Sequence, residues 1–267
     1  MGAPQPLSGS RLRVRPRYRS AFEAAGILAI EDVLSRAEVV RDLPDRANLV
    51  LHLDPLRIHV KRRKRAGRRR RGGQNREVEG LELADRLGIP VPCLVFAGVD
   101  AEGGVLTGTQ DVAGARPLDD VLRGGALQGA ARRDVLEGLA EAVAVLHRAR
   151  HHHRDLYLNH VWVDAGARPR LRALIDWERQ GRHRCLTGRW AVKDLAALLA
   201  SIPPGTVTAR ERLAFLARYL ARVPVEGRRR RRRLARRVGR KAARIRAHVP
   251  RTPVGEGARP KDEEASP

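Results

Sequence analysis

His153, Arg154 and Asp155, followed at position 160 by another histidine and at position 176 by another aspartate, are the residues of this 267-residue chain best spaced for chemistry. The chemistry they suit is phosphoryl transfer. That reaction needs one carboxylate to orient an attacking hydroxyl and another to hold Mg²⁺ against nucleotide phosphates. Asp155 and Asp176 stand where those two tasks would fall. Between them, Val161-Trp162-Val163 and Leu171 to Ile175 read as two short strands joined by the turn Asp164-Ala165-Gly166-Ala167. A hairpin brings its two ends together, so both carboxylates are expected to face one cleft.

The elements that must carry this hairpin are legible from periodicity. Helical spacing covers Tyr18 to Ile27 and Ile30 to Leu34, with Phe22, Ile27, Ile30, Val33 and Leu34 as buried positions. Strand alternation follows at Glu38 to Arg41 and Asn48 to Leu53, around the turn Leu43-Pro44-Asp45-Arg46. A third strand, Arg57 to Arg62, sets Ile58 and Val60 on one face. Arg63 to Gly73 reads as an exposed basic loop. Asn75 to Leu87 returns to helical spacing with Gly88 as its stop, and Pro90 to Gly98 and Gly104 to Gln110 read as strands. From Pro117 the chain turns helix-rich: Pro117 to Leu122, Ala130 to Arg150, then Val192 to Ser201, Ala209 to Arg222 and Arg228 to His248. Val135, Leu139, Ala142, Val143 and Leu146 form one apolar stripe. The order predicts a two-lobed α+β fold: disordered residues 1–10, a strand-rich lobe over 11–111, a helical lobe over 112–249 and a disordered tail over 250–267. Asp111 to Ala115 would be the hinge.

Composition narrows the function classes. The net charge of +24 is concentrated: Lys61 to Arg71 holds 9 basic residues and no acid, and Arg228 to Arg246 holds 12. The remaining 33 basic residues nearly balance 30 acidic ones, so the charge is two local patches on an ordinary domain. Such patches attract phosphate-bearing partners, whether nucleic acid, anionic lipid head groups or a phosphorylated glycolipid. An aromatic content of 3% argues against stacking on single strands, which makes nucleic acid the weaker candidate. No run of 18 apolar residues exists, and Met1 to Leu7 lacks the pattern of a secretory signal. Cys93 and Cys185 read as reduced thiols of a cytoplasmic protein.

Several segments together resemble the lipopolysaccharide kinase family, which contains Kdo kinases and core heptose kinases within the protein-kinase-like fold. They are Asp42-Leu43-Pro44-Asp45-Arg46, His59-Val60-Lys61-Arg62, and Arg76-Glu77-Val78-Glu79 running on to Leu87-Gly88-Ile89-Pro90-Val91-Pro92. The His153-Arg154-Asp155 loop, Ile175-Asp176-Trp177-Glu178-Arg179 and Arg189-Trp190-Ala191-Val192-Lys193-Asp194-Leu195 complete the set. The resemblance runs from Tyr18 to Ser201.

It implies that Lys61 grips the nucleotide phosphates and that Glu77 pairs with it; Lys64 and Glu79 compete for those roles. It implies that Asp155 orients the acceptor hydroxyl and that Asp176 holds Mg²⁺. His160 stands where most protein kinases carry a metal-binding asparagine, with Asn159 as the reserve. His153 and Arg154 would support the loop from beneath, and Asp194 would brace it. Trp162, Trp177 and Trp190 are expected in the core. Two departures stand out. No Gly-x-Gly-x-x-Gly loop precedes Lys61, so the turn at Asp42 to Arg46 would cover the phosphates, with Arg46 assisting. Glu178 also replaces the glycine of Asp-Phe-Gly. The expected activity is ATP- and Mg²⁺-dependent phosphorylation of a sugar hydroxyl, on Kdo or heptose, of an anionic glycolipid. The expected place is the cytoplasmic membrane face, with Arg228 to Arg246 as a peripheral membrane contact. The alternative is a kinase-like protein that binds nucleic acid or another anionic partner through its arginine-rich segments, with little or no catalysis. A small-molecule or protein kinase of the same fold is a third reading.

Overall fold

A computed structural model of the chain describes residues 12–64, 75–164, 166, 169–184 and 188–248. The tails expected to be disordered and most of the basic run after Lys64 lie outside the described residues.

The N-terminal part is an antiparallel sheet built around alternation. Strand β1 (Arg13–Val14) leads into α1 (Arg19–Ala24) and α2 (Ile30–Arg36), then β2 (Glu38–Leu43), β3 (Arg46–Leu53) and β4 (Leu56–Arg63). Helix α3 (Arg76–Arg86), β5 (Leu94–Val99) and β6 (Val105–Gln110) complete it, and the strand order is β1-β5-β6-β4-β3-β2. Ala47, Leu49, Leu51 and Leu53 of β3 share one face with Ile58 and Val60 of β4. That face packs on Phe22, Ile27, Ile30 and Val33 from α1 and α2. Lys61, one step out of phase with Val60, therefore turns to the opposite face, toward α3.

The helical part has its own core. Strand β7 (Ala115–Pro117), α4 (Leu118–Arg123), α5 (Gly129–Arg148), β8 (His151–His152), β9 (Val161–Asp164), β10 (Leu171–Leu174) and β11 (Gly181–Arg182) follow in order. Helices α6 (Arg189–Ala200), α7 (Ala209–Arg222) and α8 (Arg228–Arg246) close the fold. The α5 stripe is buried as its spacing predicts, and Trp177 lies at the centre of this core. Trp162 and Trp190 sit at its edge, half-buried. Thr208 and Glu211 form a capping box that fixes the start of α7. In α8, Leu234, Val238 and Ala242 recur every four residues and are buried, while Arg228 to Arg233 are exposed. The two-lobed α+β organisation is thus the observed one. Leu81 and Ala84 of α3 belong to the second core, so α3 ties the lobes together.

Element ends shift where backbone chemistry demands it. Strand β5 begins at Leu94 rather than Pro90, because Pro90 and Pro92 have no N–H to give a ladder. Helix α1 stops at Ala24, and Gly26 takes a left-handed φ of 64° that turns the chain toward Ile27.

Candidate active site

The loop from His153 to Asp155 hangs on one buried carboxylate. Asp194 of α6 is fully buried and accepts the backbone N–H groups of His153 at 2.8 Å and Arg154 at 2.7 Å. His147 of α5 donates its Nε2–H to the same carboxylate at 3.2 Å, and Tyr219 of α7 meets His147 Nδ1 at 2.8 Å. Burial alone would push the Asp194 carboxyl up. Its bond to His147 and the backbone donors outweigh that and hold it below the usual range. The brace also keeps Arg154 in a left-handed conformation, φ 76°, with its guanidinium over Trp190. His153 is fully buried beneath the loop, and its Nε2 donates to the Ile175 carbonyl at 3.0 Å. The structure thus places His153, Arg154 and Asp194 beneath and around the loop.

The β9–β10 hairpin closes as expected, with the Ile175 N–H bonded to the His160 carbonyl at 3.0 Å. His160 Nδ1 lies 2.7 Å from the Asp155 carbonyl oxygen. A carbonyl only accepts, so Nδ1 carries a proton, and in the neutral tautomer the lone pair is at Nε2. That atom sits 3.7 Å from Asp176 Oδ2. Two acceptors facing each other at this distance suit a cation between them. Asn159, the reserve metal ligand, is exposed on the same turn.

Across the cleft, Lys61 Nζ is 3.1 Å from Glu77 Oε1 and 2.9 Å from Asp176 Oδ1. The two competing residues face elsewhere: Lys64 pairs with Asp42, and Glu79 is exposed. Burial would lower the Lys61 ammonium, but Glu77 and Asp176 more than offset it and raise its pKa. Asp176 is held below its normal value despite burial, because Lys61 is bonded to it. Glu77 goes the other way, pushed up by burial and by the Asp176 charge. Asp176 itself adopts φ 66°, a left-handed conformation unusual for a non-glycine residue.

Oxygen atoms from Glu77, Asp176 and Glu178 lie within 4.8 Å of one another. The second oxygen of Glu77 is buried without a hydrogen-bond partner. Hard carboxylate oxygens in this density suit Mg²⁺, so the residues present fit that ion. Glu178 is also gripped by Arg63, whose Nε lies 2.9 Å away, and Arg63 reaches Asp45 in the β2–β3 turn at 3.7 Å. The basic residue beside that turn that meets the cleft is therefore Arg63, at the end of β4. Arg46, its cross-strand partner, shares that face of the sheet but lies beside Asp45, with no site carboxylate within ion-pair distance among the described residues.

The sequence reading missed the groups around Asp155. Arg179 Nη1 meets both of its oxygens, at 3.0 Å and 2.9 Å, and Lys193 Nζ lies 3.4 Å from Oδ1. Lys193 also donates to the Arg154 carbonyl. Burial and the nearby Arg179 charge lower its pKa. The signal was present: Lys193 precedes the brace Asp194, so the α6 turn that reaches the loop presents both.

Comparison with known proteins bears directly on this arrangement. The lipopolysaccharide kinase (Kdo/WaaP) family model matches residues 51–219, a span that includes all of these groups except Asp42, Asp45 and Arg46. The chain belongs to the lipopolysaccharide kinase family. One relative is the lipopolysaccharide core heptose(I) kinase WaaP of Pseudomonas aeruginosa PAO1, 34% identical over 95 residues. That match spans 34% of this chain and 35% of the relative, so the chain covers about a third of that protein's length.

In this member of the lipopolysaccharide kinase family a glycine sets the distance between the lobes' functional groups. A Cβ on Gly80 of α3 would lie 2.5 Å from Trp177 Cβ and 2.8 Å from the Trp177 carbonyl oxygen. Gly80 thus lets α3 carry Glu77 down to the turn that carries Asp176. Alanine in a helix interior normally gains up to about 1 kcal/mol over glycine. Gly80→Ala is expected to do the opposite, costing about 1–3 kcal/mol in a denaturant melt through overpacking against backbone. It should also weaken nucleotide binding, measured by titration, since the Lys61–Glu77–Asp176 geometry is displaced.

The histidines beside the loop make stability depend on pH. His152 stacks on Trp190 with ring centroids 4.7 Å apart, and burial lowers its pKa to about 4. His153 is lowered by burial as well. Burial disfavours the charged form of both when folded, whereas the unfolded chain takes up protons below the ordinary histidine value of about 6.5. The sign follows: stability is complete above about pH 6.5 and declines as pH falls toward 4. Thermal melts across that window should show the decline, and His152→Gln should flatten it.

Proposed function

We propose that the protein transfers the γ-phosphate of ATP to a sugar hydroxyl, Kdo or heptose, of a lipopolysaccharide-type glycolipid at the cytoplasmic face of the membrane. The observation that carries the reading is the pairing of Lys61 with both Glu77 and Asp176, opposite a loop that presents Asp155. An ammonium fixed between two carboxylates is a preorganised grip for phosphate oxygens. Asp176 and His160 would hold Mg²⁺, with Glu178 and Glu77 close by. When bound, the ion supplies charge neutralisation of the nucleotide phosphates.

Asp155 orients the acceptor hydroxyl and takes its proton as the oxygen attacks the γ-phosphorus and the bond to the β-phosphate oxygen breaks. Lys193 and Arg179 hold the carboxylate in place before the acceptor arrives. Arg63, tied to Asp45, draws the β2–β3 turn over the phosphates and takes the part expected of Arg46. No helix among the described residues is long and apolar enough to cross a membrane. The exposed arginines of α8 suit contact with an anionic lipid surface, where each adds about 1 kcal/mol.

The test is mass spectrometry of envelope glycolipids from cells with and without the protein. Loss of one phosphate from the inner-core sugars, restored by the wild-type chain, supports the reading. Unchanged glycolipids, with polynucleotide binding that falls steeply with salt and no ATP turnover, would replace it with the nucleic-acid alternative.

A further inference from the structure

A pocket of about 340 Å³ is lined by Arg150, Arg182, His183 and Arg184. It is formed by the two-residue strands β8 and β11, paired antiparallel with Arg182 opposite His151. The His183 N–H donates to the Arg150 carbonyl at 2.8 Å, and its Nε2 donates to the His151 carbonyl at 3.0 Å. These bonds fix the backbone that carries the three exposed arginines.

The shared pocket and the backbone of Arg150 set the cluster apart from the general basicity of the chain. Among the described residues, none of Arg150, Arg182 and Arg184 has a carboxylate oxygen within ion-pair distance, a property they share with other exposed arginines such as Arg41, Arg133 and Arg210 but combine with a common pocket. Arg150 also occupies the position just past the cap of α5, with φ 59°. Helices end there in a left-handed residue that is usually glycine, and an L-side chain costs about 1–2 kcal/mol. An arginine at that strained position, beside two more without acidic partners, points to a use for its guanidinium.

Three exposed arginines line one open pocket, and a dianion bound there would be met by guanidinium N–H donors matched to phosphate oxygens. The volume is in the range of small-ligand sites and leaves room for a phosphorylated sugar. Both walls lead into the active-site loops: Arg150 lies five residues before Asp155, and Arg182 six after Asp176. We propose that this pocket is a phosphate subsite that binds a phosphomonoester already carried by the acceptor. The acceptor assignment rests on the kinase reading above; the phosphate site does not.

The test uses the full chain at constant ionic strength, with a non-hydrolysable ATP analogue and Mg²⁺ filling the nucleotide cleft. Calorimetric titration with glucose 6-phosphate, and separately with inorganic phosphate, is compared for the wild type and for Arg150→Gly combined with Arg182→Gln and Arg184→Gln. Glycine suits the left-handed backbone, so the fold is retained and the melting temperature reports it. A charge-matched control carries Arg41→Gln, Arg133→Gln and Arg210→Gln, all exposed and remote from the pocket.

We expect tenfold or greater loss of phosphomonoester affinity in the pocket variant and unchanged affinity in the control. No binding by the wild type, or equal loss in both variants, would overturn the site. In a second arm, ATP-dependent transfer is measured on glycolipid acceptor before and after phosphatase treatment. A preference of the wild type for the phosphorylated acceptor, lost in the pocket variant through a raised KM at similar kcat, supports the acceptor as source. Binding without such a preference identifies free phosphate as the ligand and overturns the acceptor assignment. Absence of any transfer by the wild type overturns the kinase reading and leaves the first arm to judge the pocket.

Discussion

Replacing Asp155 with asparagine should reduce ATP-dependent phosphate transfer by about 10²–10⁴-fold, the usual contribution of a positioned proton acceptor. The amide matches the carboxylate in shape but cannot take the hydroxyl proton. It also carries no charge for Arg179, which now meets both Asp155 oxygens, or for Lys193 at 3.4 Å. Those cations sit at the protein surface or near it, so their release to solvent should change stability little. Nucleotide binding should persist, because Lys61, Glu77 and Asp176 contact one another and not Asp155. Three measurements on one variant therefore separate the roles: transfer falls, nucleotide affinity holds and the melting temperature stays close to wild type. Full transfer activity in Asp155→Asn would remove this carboxylate from the mechanism. A parallel loss of nucleotide affinity would mean that the variant had disturbed the loop rather than the chemistry. Arg179→Ala gives a further check, since it releases Asp155 without altering it.

The contrast between what was and was not legible in the sequence has a physical origin. Lys61, Glu77, Asp155, His160, Asp176 and Asp194 stand in local patterns whose spacing is set by a strand, a helix or a hairpin. Alternation around Val60 turned Lys61 away from the first core, and the β9–β10 pairing brought His160 to Asp176. Long elements were equally readable, as the buried stripe of α5 shows. Contacts between distant segments were not. The clamp on Asp155 joins α6 to the turn after β10, and the Arg63–Glu178 pair spans 115 positions. Strands β8 and β11 are two residues each, too short for any periodicity, so the ribbon that shapes the arginine pocket left no pattern. Arg46 shares a face with Arg63 but stands beside Asp45, and Asn159 is exposed on the turn that carries His160, differences that depend on side-chain reach and not on spacing.

The largest stability effect is expected at Asp194. Its carboxylate accepts the His153 and Arg154 backbone N–H groups and the His147 imidazole, all in the interior. Asparagine keeps the shape but has one acceptor oxygen, and its amide would point two donors at groups that also donate. At least one buried N–H loses its partner. A cost of about 3–5 kcal/mol is expected for breaking such a buried network, which lowers the melting temperature by about 6–20 °C for a chain of this size. Transfer activity should fall even below that temperature, because Arg154 depends on the brace for its left-handed backbone and Asp155 follows it directly. Tyr219→Phe offers the control. It leaves His147 Nδ1 without its hydroxyl donor, at a cost of about 1–3 kcal/mol, yet both backbone bonds to the loop remain. That variant should be less stable and still active when folded. The acid limb gives the sign. Because the Asp194 pKa is depressed in the folded chain, its contribution is present above the unfolded value of about 3.9 and lost as pH falls through the lower folded value. Asp194→Asn should therefore narrow its gap to wild type in melts taken below about pH 4. A gap that stays constant there would show that the carboxylate's charge is not what holds the loop.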